Sequence, residues 1–162
     1  MKTKKIIKWA EEKGILKNAT PYTQFSKVLE ETNEILIAIN NDDREELIDA
    51  IGDTAITLII LDAMHYPDRV PLKIEYSLDI NILGYSRELL LLSVMRTNNK
   101  IFEDLMWEGL YPSEKFYKQL HTLNKLASTL DLTLQDCIKS AYKVIKNRKG
   151  KMINGTFVKD AE

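Results

Sequence analysis

The sequence predicts an all-α helical bundle in one domain. Apolar residues recur at spacings of three and four along most of the chain. Six Gly and four Pro among 162 residues are too few for a chain of many short strands. Polar turns carrying capping residues separate the periodic segments. A chain of 162 residues is long enough to bury one sizeable core.

The elements follow in order. A first helix is expected over 3–12, where Ile6, Ile7 and Ala10 fall at helical spacing, and it stops at Gly14. Pro21 and Tyr22 open a second, running to about Asn40, with Thr20 as N-cap. Asn40-Asn41-Asp42 is a short polar turn, and Asp42 is placed to cap a third helix reaching about His65. Pro67 and Pro71 then break the chain. Further helices are expected over approximately 78–96, 100–107, 113–130 and 132–149. Asp131-Leu132-Thr133 forms the turn or cap between the last two. Gly150 ends the final helix, and 150–162 is expected as an irregular or extended tail.

Composition excludes several classes of function. Hydrophobic residues make up 44% and charged residues 29%, a globular balance rather than a disordered one. With 23 bases against 24 acids, the net charge of -1 argues against a nucleic-acid partner, whose affinity would come from neutralising phosphates. Cys137 is the single cysteine, so neither an internal disulfide nor a cysteine metal cluster is expected. Met1-Lys2-Thr3-Lys4-Lys5 leads only into Ile6-Ile7 before Lys8, which is not the apolar core of a signal peptide. The longest apolar run, 55–61, includes Thr57 and is too short to span a membrane. A cytoplasmic protein with no membrane partner is the expectation.

The charges are not mixed evenly. Nine acids lie between Glu30 and Asp53 against one base, Arg44, whereas seven bases and no acid lie between Lys139 and Lys159. Two readings fit this segregation: solvated helix faces, or a site that holds cations at one end and an anion at the other.

Helical geometry separates the acids further. At 100° per residue, Phe25, Val28, Leu29, Ile35, Leu36 and Ile39 form the apolar face of the second helix. Gln24, Lys27, Glu31, Glu34 and Ala38 form a narrow stripe beside it, and Glu30 points away. In the third helix Glu46, Asp49 and Asp53 stand at i, i+3 and i+7, and their stripe continues as Ile56 and Ile60. A solvated face does not normally turn into isoleucines, so these carboxylates are expected to face the bundle interior. Leu47, Ile48, Ile51, Ala55, Leu58 and Ile59 form the opposite face.

Two helices joined by so short a turn must lie antiparallel and in contact. Four or five carboxylates then share one half-buried volume, where unpaired anions would cost several kcal/mol each. Oxygen donors with little nitrogen or sulfur suit Mg²⁺, with Mn²⁺ as an alternative. Salt bridges are the competing explanation, and Lys27 and Arg44 are the bases nearest in sequence.

These residues resemble the MazG-like family of all-α nucleoside triphosphate pyrophosphohydrolases. Its pattern is Gln-x-x-Lys-x-x-Glu-Glu running into Glu-x-x-Glu on one helix, with Glu-x-x-Asp on the next. The first half is matched by Gln24, Lys27, Glu30, Glu31 and Glu34, and the second by the stretch from Glu46 through Asp49 to Asp53. The segment 8–15, Lys-Trp-Ala-Glu-Glu-Lys-Gly-Ile, looks like the family's leader, and 141–159 looks like its C-terminal signature. The likeness covers roughly 3–65 and 132–159. The ordered set is fairly specific, whereas a lone Glu-x-x-Glu would not be.

One departure bears on the ligands. The family's second motif places its Asp directly after Gly, which selects Asp53, yet Ala50 stands three residues earlier. Glu46-x-x-Asp49 meets the spacing one turn before. The resemblance therefore implies Glu31, Glu34, Asp49 and Asp53 as metal ligands, with Glu46 as a further or supporting one. Residues 68–131 look longer than a minimal member, as a helical insertion would, and Leu89-Leu90-Leu91-Leu92 is expected to pack a core or a dimer surface.

The resemblance also implies the reaction: a (d)NTP is cleaved between its α and β phosphates, giving (d)NMP and pyrophosphate. Mg²⁺ would neutralise phosphate oxygens and lower the pKa of a water, and Glu34 would accept that water's proton. Lys146, Arg148 and Lys149 would hold the β and γ phosphates, unless they only complement the dipole of a helix end. Lys27 would contact phosphate or offset Glu31 and Glu34, and Trp9 would stack on the base or pack the core. A homodimer or homotetramer is implied.

Other chemistries fit less well. A di-iron bundle needs paired Glu-x-x-His motifs, and Asp62-Ala63-Met64-His65 has no counterpart at His121. Cys137 has no obvious His partner in sequence, and no Gly-rich phosphate loop is present. The non-enzymatic alternative is a helical interaction or scaffold protein whose acidic face binds a basic partner.

Overall fold

A computed structural model describes residues 3–67, 75–79, 82, 84–107 and 113–160. Among them are α1 (Lys4–Glu12), α2 (Ile15–Asn18), α3 (Pro21–Asn40), α4 (Arg44–His65), α5 (Arg87–Trp107), α6 (Ser113–Ser128) and α7 (Leu134–Ile145). Two strands follow, β1 (Gly150–Ile153) and β2 (Thr156–Lys159). The fold is mostly helical, as the sequence predicts, and no described helix is long and apolar enough to cross a membrane.

Local chemistry explains where the central helices start. Thr20 and Thr23 form a reciprocal capping box at the head of α3, with Pro21 in its first turn. Asp43 accepts from the Glu46 amide to cap α4. Asp42, the expected cap, instead adopts a left-handed backbone, φ 50°, within the turn. Thr133 and Asp136 form a second capping box at the head of α7.

The core centres on α4, which packs against α1, α3, α6 and α7. Enclosed on most sides, it buries Leu47, Ala50, Ile51, Ala55, Leu58, Ile59 and Leu61 on one part of its surface and Asp53, Ile56 and Ile60 on another. On α3 the buried face is Gln24, Phe25, Val28, Glu31, Thr32, Ile35 and Ala38. Leu29, expected on that face, is 46% exposed.

Gly52 determines how closely α7 approaches. A Cβ at this position would stand 2.4 Å from the Cys137 carbonyl oxygen and 2.7 Å from the Ala141 Cβ, so only glycine permits the contact. Gly52→Ala is expected to push the two helices apart and to cost about 1–3 kcal/mol. Urea unfolding checks this, and wild-type stability would show that α7 yields without cost.

Two expected helices need correction, and the extended alternative for the tail takes a definite form. Helices expected over 78–96 and 100–107 are one helix, α5, because Thr97 and Asn98 are held by partners. Thr97 Oγ1 bonds the Ser93 carbonyl, Asn98 Nδ2 donates to Thr32 Oγ1 at 3.0 Å, and Gln119 Nε2 donates to Asn98 Oδ1 at 2.8 Å. Residues 75–79, expected partly helical, run irregularly across α6 and α7: the Tyr76 amide donates to Gln135, the Asp79 amide to Ser128, and Asn124 to the Ser77 carbonyl. Within the expected tail, β1 and β2 pair as an antiparallel hairpin, with Gly150 opposite Lys159 and Ile153 opposite Thr156. Asn154 (φ 50°) and Gly155 (φ 79°) make its two-residue turn. Most of the expected break at 67–71 lies outside the described residues.

Candidate functional site

The turn between α3 and α4 sets the two helices antiparallel, and the acidic stripes meet along their seam. Gln24 Nε2 donates to the Thr57 carbonyl at 3.0 Å, which fixes the register. Glu31 and Asp53 are then level with one another, and each is only 8% exposed. Burial, then the charges of Asp53 and Glu34, and a hydrogen bond with Glu34 push Glu31 up to about 8, with Lys27 opposing. Farther along the seam Glu34 and Asp49 are half-buried and Glu46 is exposed. Partial burial, followed by the charges of Glu34, Asp49 and Asp43, raises Glu46. All five carboxylates that the sequence singles out therefore lie in one electrostatic neighbourhood. Glu30 points away, as expected, and pairs with Lys27 at 2.6 Å.

Two bases border the buried acids. Lys27 Nζ lies 3.8 Å from Glu31, and the Arg148 guanidinium lies 3.9 Å from Asp53. Lys13 Nζ donates to the Arg148 carbonyl at 2.7 Å and so ties this loop to α1. Arg44, the other base near the acids in sequence, donates instead to the Leu130 carbonyl at 2.8 Å.

The basic run is not brought to the site as a block. Helix α7 ends at Ile145, Lys146 caps it, and the Arg148 amide turns back to the Ile145 carbonyl. Lys146 and Lys149, expected to hold phosphates, are exposed and do not line the cleft. Leaving the helix at Ile145 breaks the 100° repeat and returns only Arg148 to the acids.

The cleft opens to solvent, and it spans about 680 Å³ when the solvent space at its mouth is included. Glu31, Asp53, Lys27 and Arg148 line it, and so do Trp9, Thr23, Gln24, Ile56, Thr57 and Ile60. Ile15, Ile145, Gly155, Thr156 and Phe157 complete the wall. Trp9 belongs to the cleft and to the core at once: it is 8% exposed and meets the Phe157 ring edge-on at 6.2 Å. Sequence reasoning missed the hairpin's contribution. Asn154-Gly155 between Lys151-Met152-Ile153 and Thr156-Phe157-Val158 is a two-residue turn signal that would have found it.

Among the described residues, no three carboxylate, imidazole or thiolate side chains are arranged as a ready metal site. The donors nonetheless match a hard dication in kind: they are carboxylate oxygens, they adjoin one another, and burial beside Asp53 and Glu34 raises Glu31, a cost that a cation would relieve. Two other candidates do not line the cleft. The Cys137 thiol is fully buried and pushed up to about 12 by burial and by Asp136, so it is not a nucleophile at neutral pH. His65 Nδ1 lies 3.0 Å from the Leu61 carbonyl in the last turn of α4.

The chain is 32% identical over 71 residues to a Haemophilus phage HP1 protein described as an uncharacterized 18.2 kDa protein in the rep-hol intergenic region. The matched residues are 44% of this chain and 44% of that relative, so the chain spans less than half the relative's length. No protein-family model and no solved structure matches the chain.

Proposed function

We propose that the protein is a Mg²⁺-dependent nucleoside triphosphate pyrophosphohydrolase of the MazG-like type, giving (d)NMP and pyrophosphate. One observation carries this reading: two buried carboxylates from neighbouring helices, Glu31 and Asp53, share a solvent-open cleft with Lys27 and Arg148. Acids alone would suit a cation, and bases alone an anion. Both together suit a polyphosphate bound with its metal.

Glu31 and Asp53, with Glu34, Asp49 and Glu46 beside them, would hold Mg²⁺ or Mn²⁺, which supplies charge neutralisation and an acidified water. Lys27 and Arg148 hold phosphate oxygens in this reading, Arg148 through its planar fork. Glu34, half-buried and hydrogen-bonded to Glu31, accepts the proton of the attacking water. The water oxygen bonds to the α-phosphorus, the bridging oxygen toward the β-phosphorus leaves, and pyrophosphate departs. The test is a panel of NTPs and dNTPs with Mg²⁺, scored for pyrophosphate against orthophosphate. Orthophosphate as first product, or no turnover, would overturn the assignment.

The implied homodimer or homotetramer draws support from α5. Leu90 and Leu91 are buried, whereas Leu89, Leu92, Met95, Phe102 and Met106 form an exposed apolar stripe. Arg96 and Glu103, both exposed, flank it seven residues apart, so an antiparallel second copy would pair each Arg96 with the other's Glu103. The double variant Leu92→Glu, Met106→Glu is expected to be monomeric by light scattering while the parent chain is not. A monomeric parent chain would remove this interface.

A further inference from the structure

A second groove runs between α5 and α6 and shares no lining residue with the acidic cleft. The two helices are antiparallel: Arg87 Nε donates to Thr129 Oγ1, Gln119 Nε2 donates to the Val94 carbonyl, and Lys115 pairs with Asp104. Each lines the groove with a stripe at i, i+3 and i+7, Leu89, Leu92 and Arg96 on α5 against Lys118, His121 and Lys125 on α6. Seven residues are two turns, about 10 Å at 1.5 Å per residue. The antiparallel register puts Arg96 and Lys118 together at one end. Lys125 is at the other, its Nζ 5.3 Å from the centre of the Tyr85 ring. Leu89 and Leu92 are 50% and 61% exposed. His121 faces Asp79 at 3.9 Å, and no carboxylate lines the groove among the described residues.

We propose that this groove docks an acidic amphipathic helix of a partner protein. Its apolar residues would cover Leu89 and Leu92, and its carboxylates would meet the two basic ends. Charge complementarity selects that occupant, because cations with no acid among them call for an anion. Basic ends two turns apart match acids seven residues apart on one helix face. Exposed leucines also need apolar cover, which a free phosphate does not give. A nucleic acid would need rings to stack on, and the one tyrosine of the lining lies under Lys125. Leu92 and Arg96 belong also to the second-copy contact proposed above, so partner and copy exclude one another there. Lys118 and Lys125 belong to the groove alone. Nothing in this proposal depends on the pyrophosphohydrolase reading.

The test measures, by fluorescence anisotropy, binding of the full chain to a labelled helical peptide with Glu-x-x-Leu-Leu-x-x-Glu on one face and alanine and glutamine elsewhere. The same peptide with Lys for Glu, phosphatidylglycerol vesicles and a DNA duplex are compared with it. Saturable binding of the acidic peptide alone is expected. The double variant Lys118→Glu, Lys125→Glu is expected to bind it about tenfold more weakly. That variant should bind the lysine peptide instead, a swap that misfolding could not produce. The proposal is overturned by no saturable binding of the acidic peptide, by equal binding of both peptides, or by unchanged affinity in the variant. Preference for the vesicles or the duplex overturns it too.

Discussion

Glu34→Gln is expected to lower the rate of pyrophosphate release by about 10²–10⁴-fold, the range for losing a positioned general base. Gln is nearly isosteric and still offers a hydrogen bond to Glu31, so the fold should survive. Glu34 is half-buried rather than enclosed, which limits any packing cost. Pyrophosphate release on the substrate panel and urea unfolding are measured together. Full activity in the variant would remove Glu34 from the reaction, and loss of activity with loss of stability would make its role structural.

The second large effect concerns stability without metal. Glu31 titrates near 8 in the folded chain against 4.5 ordinarily, so between these values the folded state holds a proton that the unfolded state has lost. That contribution is fully present below pH 4.5 and disappears as pH rises through about 8. The limit is about 5 kcal/mol, since each unit corresponds to 1.36 kcal/mol. Because Glu31, Glu34 and Asp53 interact, the proton belongs to the group rather than to one side chain. Unfolding free energy measured in EDTA from pH 5 to 8 is expected to fall by a few kcal/mol, and Glu31→Gln should flatten the slope. Mg²⁺ should stabilise the parent chain more at pH 8 than at pH 6, because there is less proton to displace. A parent chain with a flat profile would show that Lys27 and Arg148 already neutralise the acids.

Much of the site was legible because its code is local. Glu31 and Glu34 are one turn apart, as are Asp49 and Asp53, and a 100° repeat is enough to put each pair on one stripe. The continuation of the α4 stripe into Ile56 and Ile60 foretold burial, and all three of Asp53, Ile56 and Ile60 are buried and line the cleft. The short turn after Asn40 made α3 and α4 neighbours. Where reasoning by periodicity failed, a partner outside the segment was responsible. Asn98 stays helical because Thr32 and Gln119 satisfy its amide, and Leu29 is exposed at a groove between α3 and α5 that Met95 and Asn98 also line.

The sequence by itself therefore determined the helices, their principal caps and the convergence of acids, all of which follow from spacing within one or two segments. Tertiary structure alone decided which bases meet those acids. Arg148 reaches Asp53 and Arg44 does not, because Gly52 lets α7 close on α4 and Lys13 ties down the loop beyond it. It also decided that a hairpin near the end of the chain encloses Trp9 from the first helix. Residues that distant meet only when the whole chain packs, and no repeat along the sequence encodes the meeting.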